Sequence, residues 1–156
     1  MRVGLVSARV FAWARGVPHG GLCSLDALAL GAIRDGFAGG SLAVATDARR
    51  KEVYWATYDV RDGLPVRTAG PAVDRPADVP AAVRELPCAG RGPLLYPEQF
   101  AHALAPLDVD AAALAELAAR RLARGEELDA PEPLYLRRPD AVPAAATPVG
   151  APAGGR

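Results

Sequence analysis

Three strand-like segments in quick succession constrain the fold of this chain more than any other feature of its sequence. They cover residues 42–46, 52–60 and 66–73, and Asp62 with Gly63 forms a turn sequence between the second and the third. The spacing of apolar residues in these segments is that of strands, and the gaps between them are too short for a crossover helix. We therefore expect an antiparallel meander of three strands.

Ahead of the meander, the sequence predicts a helix, a strand and a second helix. The opening residues, MRVGLVSARVFAWARG, have a helical pattern that ends at Gly16, and a short apolar piece around Leu22 and Cys23 predicts a strand. Ser24 then serves as the cap of a helix over residues 25–35, which a cluster of glycines ends. This order resembles the end of a ribonuclease-H-like module.

Behind the meander, helices and strands alternate again. The sequence predicts a helix over residues 79–86, a short strand around Cys88, and then a loop rich in Pro and Gly. The strongest helix covers residues 108–127, with Asp108 or Asp110 as its cap. A three-stranded meander followed by alternating helix and strand has the plan of a complete ribonuclease-H-like module, so the predicted fold class is α/β.

The opening helix has two apolar sides instead of one. Arg9 interrupts its apolar residues, so the segment is too broken for a secretory signal and too short for a membrane span. Two interpretations stay open: a helix buried in the core, or a helix with one face on its own sheet and the other on a partner. The two stripes consist of Val3, Val6, Val10, Trp13 and Ala14 on one side and of Gly4, Leu5, Ala8, Phe11 and Ala12 on the other.

The charge balance argues against broad binding to nucleic acid or anionic membranes, because 18 basic residues are matched by 18 acidic ones. Lys51 is the one lysine among the basic residues, and this arginine bias matches a GC-rich genome better than selection for phosphate recognition. The cysteines, Cys23 and Cys88, and the histidines, His19 and His102, have no metal-ligand spacing. We expect small buried cysteines, no metal site, and a reduced, cytosolic protein.

Three motifs occur in order along the chain. The segment TDARRKEVYWATYDV, residues 46–60, contains D-A-R-x-x-E-V-Y, and EPLYLR, residues 132–137, fits E-P-x-Y-L-R. The opening segment, from Arg2 and Gly4 onward, fits a helix that follows a Gly-rich stretch. Together these motifs resemble those of the TsaB (YeaZ) family of tRNA threonylcarbamoyladenosine biosynthesis proteins. The matching positions of the two later motifs are Asp47, Ala48, Arg49, Glu52, Val53, Tyr54, Glu132, Pro133, Tyr135, Leu136 and Arg137.

The resemblance implies an actin-like ATPase fold built from two ribonuclease-H-like modules. In this interpretation residues 1–40 are a remnant of the first module, residues 41–138 form the second, and residues 139–156, rich in Pro, Ala and Gly, form a disordered tail. The family's opening strands and most of its Gly-rich stretch have no counterpart in this sequence. We therefore expect Met1 to be either a wrongly chosen start or the start of a shortened product.

The resemblance also implies a supporting role in tRNA modification, with no catalysis by this chain. TsaB-type proteins pair with a catalytic TsaD-type subunit and act with a TsaE-type ATPase to form N6-threonylcarbamoyladenosine at position 37 of tRNAs that read ANN codons. By this resemblance, the cytoplasmic chain binds the TsaD-type subunit or a second copy of itself, contacts tRNA only indirectly, and leaves ATP and magnesium to its partners. The implied interface consists of Arg2, Val3, Gly4, Leu5, Ala8, Phe11 and Ala12.

Two alternatives involve the turn that follows the first strand of the meander. Asp47 could contact phosphate or magnesium, which would make the chain a stand-alone ATPase or transferase, but the turn has no glycine to bring backbone N–H groups close to an anion. A direct RNA contact is the second alternative, with a solvated turn and core aromatic residues as its competing interpretation. It would use Arg49, Arg50 and Lys51 together with Tyr54, Trp55 and Tyr58.

Overall fold

The computed structural model describes residues 2–137, so the tail predicted at residues 139–156 lies outside the described residues. The described helices are α1 (Arg2–Arg15), α2 (Ser24–Arg34), α3 (Ala81–Arg84), α4 (Gly92–Leu95) and α5 (Ala111–Ala123). The described strands are β1 (Ser41–Asp47), β2 (Val53–Arg61), β3 (Leu64–Asp74), β4 (Pro87–Ala89) and β5 (His102–Leu104).

The predicted meander is confirmed. β1 and β2 pair antiparallel along the whole of β1, and β2 pairs antiparallel with β3. The turn between β2 and β3 places Asp62 and Gly63 at φ values of 51° and 70°. Two left-handed residues in a two-residue turn match the twist of the flanking strands, which explains why the Asp-Gly sequence marked this hairpin.

The predicted ribonuclease-H-like plan of the second set of elements is confirmed as well. β4 pairs in parallel with β1, and β5 pairs in parallel with β4, which gives the strand order β3-β2-β1-β4-β5. The sequence did not indicate α4 or β5. The expectation that this region is only a loop is wrong. Each of these elements has only three or four residues, so neither is long enough to show a hydrophobic period.

The strand expected ahead of α2 is also wrong. The residues around Leu22 and Cys23 form no strand, and nearby Gly21 makes an isolated antiparallel bridge with Asp129. Ser24 is the first residue of α2 rather than its cap, and Cys23 occupies the cap position without a side-chain hydrogen bond. Backbone pairing with a segment beyond α5 decides this conformation, and such a distant partner leaves no local sequence signal.

The two predicted later helices exist but are shorter than expected. α5 has Asp110 as its cap, and the Asp110 carboxylate accepts a hydrogen bond from the backbone N–H of Ala112 at 3.0 Å. This bond selects Asp110 over Asp108, because an N-cap oxygen must reach a backbone N–H in the first turn of its helix. α3 retains only one turn of the helix expected over residues 79–86.

Two apolar clusters cover the two faces of the sheet. On one face, residues of α2 pack on β1 and β2, with Leu28, Leu42 and Tyr58 fully buried among them. On the other face, Val53, Val79, Cys88, Phe100 and their neighbours form the second cluster. The division of the chain at residue 40 stays a prediction about domain organisation, although α2, which it assigns to the first module, packs against the sheet of the second.

Candidate functional site

The opening helix α1 is exposed along nearly its whole length, so the expectation of a core helix is wrong. Of residues 3–15, only Ala12 is buried and only Leu5 is half-buried. Trp13 is 84% exposed and Phe11 is 67% exposed, and these residues belong to opposite stripes. A face covered by the chain's own sheet is therefore not observed either. Because two exposed apolar stripes on one helix are unfavourable in water, α1 is a candidate docking surface.

The predicted interface residues fall on α1 with different degrees of exposure. Val3, Gly4, Ala8 and Phe11 are exposed, whereas the chain itself buries Ala12. The side chain of Arg2 is outside the described part of the chain. Gly4 has no other atom within 4 Å of the position that a Cβ would occupy, so the backbone of α1 is open to close approach at that point. Within residues 2–137 no helix is long and apolar enough to cross a membrane.

A shallow groove of about 400 Å³ runs beside the stripe of α1 that contains Trp13. Its walls are formed by Val6, Arg9, Val10, Trp13 and His19. The groove is wide open to solvent and mainly apolar, with one permanent positive charge. It thus extends the exposed surface of α1 beyond the residues of the predicted interface.

The D-A-R motif forms the turn between β1 and β2, and the backbone of this turn is strained. Residues 49–51 all carry side chains, yet their φ values lie between 55° and 63°. Each left-handed residue of this kind costs roughly 1–2 kcal/mol relative to the right-handed region. The Asp47 carboxylate accepts a hydrogen bond from the backbone N–H of Arg49 at 2.7 Å. Two backbone bonds of 3.0 Å, from Ala48 to Glu52 and from Glu52 to Arg49, close the turn.

These bonds make the turn a poor fit for a nucleotide phosphate. The backbone N–H groups of Ala48, Arg49 and Glu52 already have acceptors within the turn, whereas a phosphate-binding turn directs such groups at the anion. The Asp47 carboxylate also lies 3.4 Å from the Arg49 guanidinium. Asp47 therefore closes the turn, and its carboxylate has two partners there, the Arg49 backbone N–H and the Arg49 guanidinium.

The C-terminal motif contacts the same turn through Arg137. The Arg137 guanidinium donates to the backbone carbonyl of Ala48 at 3.2 Å and forms a close ion pair with the carboxylate of Glu52. Both side chains of this ion pair are about one quarter exposed. The two family motifs, which are separated by most of the chain, thus meet at one place.

The remaining motif residues have mostly structural positions. Val53 is fully buried and Tyr54 is half-buried against the core. In the C-terminal motif Glu132 and Tyr135 are exposed, whereas Pro133 and Leu136 are half-buried.

The aromatic platform considered for RNA stacking is wrong, because the structure places its rings in the core. Tyr58 is fully buried, Trp55 is 8% exposed, and Tyr54 packs against the core cluster. The indole N–H of Trp55 donates to Asp74 at 2.8 Å, so its polar atom has a partner within the sheet. The exposed part of the segment is the cationic turn, residues 49–51.

A buried carboxylate that sequence reasoning missed joins four elements. Asp26 on α2 is fully buried and accepts hydrogen bonds from the Tyr58 hydroxyl at 2.8 Å, from Arg67 on β3 at 2.6–2.9 Å, and from Arg121 on α5 at 3.1 Å. Burial, and then the nearby Asp26 charge, raises the pKa of the Tyr58 phenol above its usual range. The one available signal was a single acidic residue within the otherwise apolar helix SLDALALGAIR.

Both cysteines are buried, as expected, and we predict that they are unreactive in the folded chain. Burial raises the pKa of the Cys88 thiol to about 12 and raises that of Cys23 above its usual value. Near pH 8 both groups are then protonated, and the thiolate is the reactive form. An aromatic disulfide reagent should label them more than about 100-fold more slowly than the unfolded chain. Fast labelling of one thiol in the native protein would contradict this prediction.

No group of three or more His, Cys, Asp or Glu side chains within residues 2–137 is arranged to hold a metal ion. The described site therefore consists of an exposed apolar helix and a cationic turn tied to the C-terminal motif.

Comparison with known proteins finds a matching family and several similar proteins. Residues 1–122 match the family described as TsaD, tRNA N6-adenosine threonylcarbamoyltransferase. An uncharacterized protein of Mycobacterium tuberculosis is 42% identical over 147 residues, which cover 93% of this chain and 61% of that protein. An uncharacterized protein of Mycobacterium leprae is 49% identical over 79 residues, or 51% of this chain and 19% of that protein. This chain thus spans less than two thirds of either relative.

Solved structures support the same relationship. The structure of YeaZ from Pseudomonas aeruginosa superimposes with a TM-score of 0.74 at 30% identity and covers 86% of this chain and 67% of that one. A crystal structure of a protein with similarity to peptidase YEAZ from the same organism gives a TM-score of 0.74 at 32% identity, with 87% and 67% of the two chains covered. Together with the strand order, these comparisons confirm the actin-like, ribonuclease-H-like ATPase fold.

Proposed function

This chain is a YeaZ-like (TsaB-like) member of the TsaD family, and from that premise we propose that it is a non-catalytic scaffold subunit in tRNA modification. In this proposal a TsaD-type subunit forms N6-threonylcarbamoyladenosine at position 37 of tRNAs that read ANN codons, and this chain supports that subunit in the cytoplasm. A TsaE-type ATPase completes the complex, and ATP and magnesium bind to the partners.

The observation that carries the proposal is the double apolar surface of α1. Phe11 and Trp13 are largely exposed on opposite stripes, and large exposed aromatic side chains are the residues that most often anchor protein interfaces. A related subunit, or a second copy of this chain, could cover one stripe or both. The backbone N–H groups of Ala48, Arg49 and Glu52 are already bonded within the turn near Asp47, which supports the non-catalytic part of the proposal.

Co-purification with a TsaD-type protein tests the scaffold role. We expect the variant Phe11→Glu to weaken this association by about 30-fold or more, because losing a buried aromatic anchor and burying a charge costs about 2 kcal/mol or more. Leu94→Glu on α4 is the matched control, since Leu94 is 60% exposed and Phe11 is 67% exposed. The dissociation constants can be measured by titration calorimetry with the isolated proteins.

The outcomes of this experiment separate the stripes of α1 as well. If Trp13→Glu weakens the association and Phe11→Glu does not, the partner covers the stripe opposite to the predicted interface. Equal association of the two α1 variants and the Leu94→Glu control with the TsaD-type protein would refute α1 as the docking surface.

A stand-alone ATPase or transferase is the competing function. We expect the isolated chain to show no turnover of ATP. Turnover that Asp47→Ala abolishes and Asp62→Ala leaves intact would establish the competing function, because Asp62 provides the same chemical change in the other hairpin turn.

A further inference from the structure

We propose that the cationic turn, residues 49–51, binds the phosphodiester backbone of the tRNA. This inference rests on the proposed function, which supplies the tRNA. It adds a direct contact with the nucleic acid, where the resemblance implies only an indirect one.

The first observation is that the cationic turn has side chains where glycine would relieve strain. The hairpin turn between β2 and β3 has Gly63 at one of its two left-handed positions. The cationic turn has three successive left-handed positions and fills each of them with Arg or Lys. Glycine adopts this conformation without steric cost. We therefore infer that the three side chains serve a purpose that glycine could not serve.

The second observation is that the cationic turn is held in place from several sides. At one end of the turn, the Asp47 carboxylate accepts a hydrogen bond from the turn backbone. At the base of the turn, Arg137 donates to the carbonyl of Ala48 and pairs with the carboxylate of Glu52. A preorganised loop loses less conformational entropy when it binds than a mobile loop does. The strained turn thus presents its side chains from a fixed backbone.

The third observation is a local excess of positive charge in a chain that is neutral as a whole. The carboxylate of Glu52 is paired with Arg137, so it does not offset the charge of the turn. Arg49 lies 3.4 Å from Asp47 but its side chain is 88% exposed, and an ion pair so exposed to water is weak. Arg50 and Lys51 are exposed too.

The chemistry of these side chains favours phosphate as the ligand. A guanidinium donates two parallel hydrogen bonds to phosphate oxygens, and an ammonium acts as a mobile point charge beside them. The neighbouring aromatic rings are in the core, so the turn offers no surface for base stacking. The contact should therefore depend on salt and not on base sequence.

Fluorescence anisotropy with a labelled, unmodified transcript of a tRNA that reads an ANN codon tests this inference on the full chain. The turn variant is Arg49→Gln/Arg50→Gln/Lys51→Gln. The control variant, Arg15→Gln/Arg61→Gln/Arg124→Gln, removes the same charge from exposed positions outside the turn, with Arg61 at the opposite end of β2. Titrations at about 50–200 mM salt give the dependence of affinity on ionic strength.

We expect the turn variant to bind at least about 10-fold more weakly at low salt, and its plot of log affinity against log salt to be shallower by about 2. The control variant should retain a slope close to that of the unchanged chain. Matching melting temperatures of the variants would show that all of them fold, because glutamine and arginine both carry a side chain into the strained turn.

Several outcomes would overturn the inference. Equal losses of tRNA affinity in the turn and control variants would show unspecific electrostatic attraction. Failure of the unchanged chain to bind tRNA would show that the proposed contact does not exist. A turn variant that keeps tRNA but loses the TsaD-type partner would make the turn a protein contact. Displacement of the tRNA by equimolar ATP would assign the turn to nucleotide phosphates. Because the titration needs no partner, its failure leaves the scaffold proposal standing, and failure of the co-purification leaves this titration interpretable.

Discussion

Replacing Asp26 with alanine is expected to lower the free energy of unfolding by about 3–5 kcal/mol, because breaking a buried ion pair from one side leaves the other charges uncompensated. The Asp26 carboxylate is fully buried and receives donors from Tyr58, Arg67 and Arg121. Its loss would remove the acceptor of the Tyr58 hydroxyl and of the Arg67 guanidinium, and it would leave Arg121 only its longer ion pair with Glu126 at 3.9 Å. Urea unfolding followed by circular dichroism measures the change through the midpoint and the slope.

The chain contains a matched control for this prediction. Arg91 and Asp108 also approach to 2.6 Å between Nη2 and Oδ2, the same distance as between Arg67 and Asp26. The Asp108 side chain, however, is 65% exposed, so Asp108→Ala should leave the midpoint almost unchanged. A similar shift in both variants would mean that burial does not determine the contribution of Asp26 to stability.

The importance of Asp26 shows what local sequence patterns do and do not reveal. Its arginine partners lie 41 and 95 residues away along the chain, on β3 and α5. The arginine-rich composition gave no reason to separate Arg67 and Arg121 from the other arginines. Only the fold, which brings α2 onto the sheet beside α5, identifies them as the partners of one carboxylate.

The elements that could be predicted are those with a period or a distinctive turn. The meander follows from alternation and from Asp62 with Gly63, and α5 follows from its long apolar pattern. α4 and β5 could not be predicted because elements of three or four residues are too short to show a hydrophobic period. The period of α1 correctly indicated a helix with two apolar sides, but no period can say what covers them.

The candidate site was predictable in part for the same reason. The resemblance placed the D-A-R motif and the C-terminal motif in one family, but not in contact. Their meeting through Arg137 and Glu52 joins residues 85 positions apart. The left-handed conformation of residues 49–51 had no signal either, since a sequence without glycine gives no reason to expect positive φ values.

A second large effect is expected at Gly90, where alanine should lower the free energy of unfolding by about 3 kcal/mol or more. Gly90 is buried directly after β4 and has a φ of 99°. A Cβ at this position would overlap the backbone carbonyl oxygen of Ala45 on β1 and press against Leu28 of α2. Because a backbone oxygen in the middle of a sheet cannot move aside alone, relief of the overlap requires β4 to separate from β1.

Gly36 separates this steric effect from the cost of the backbone conformation. Its φ is 108°, close to that of Gly90, yet no atom lies within 4 Å of the position of an added Cβ. Gly36→Ala should therefore show only the conformational cost of about 1–2 kcal/mol, and the difference between the two variants measures the overlap with β1. Equal losses of stability in urea unfolding would contradict the overlap, and they would imply that β4 lies farther from β1 than the structure indicates. A much larger loss at Gly90 would support the close approach of β4 to β1, the parallel contact that extends the meander into the five-stranded sheet.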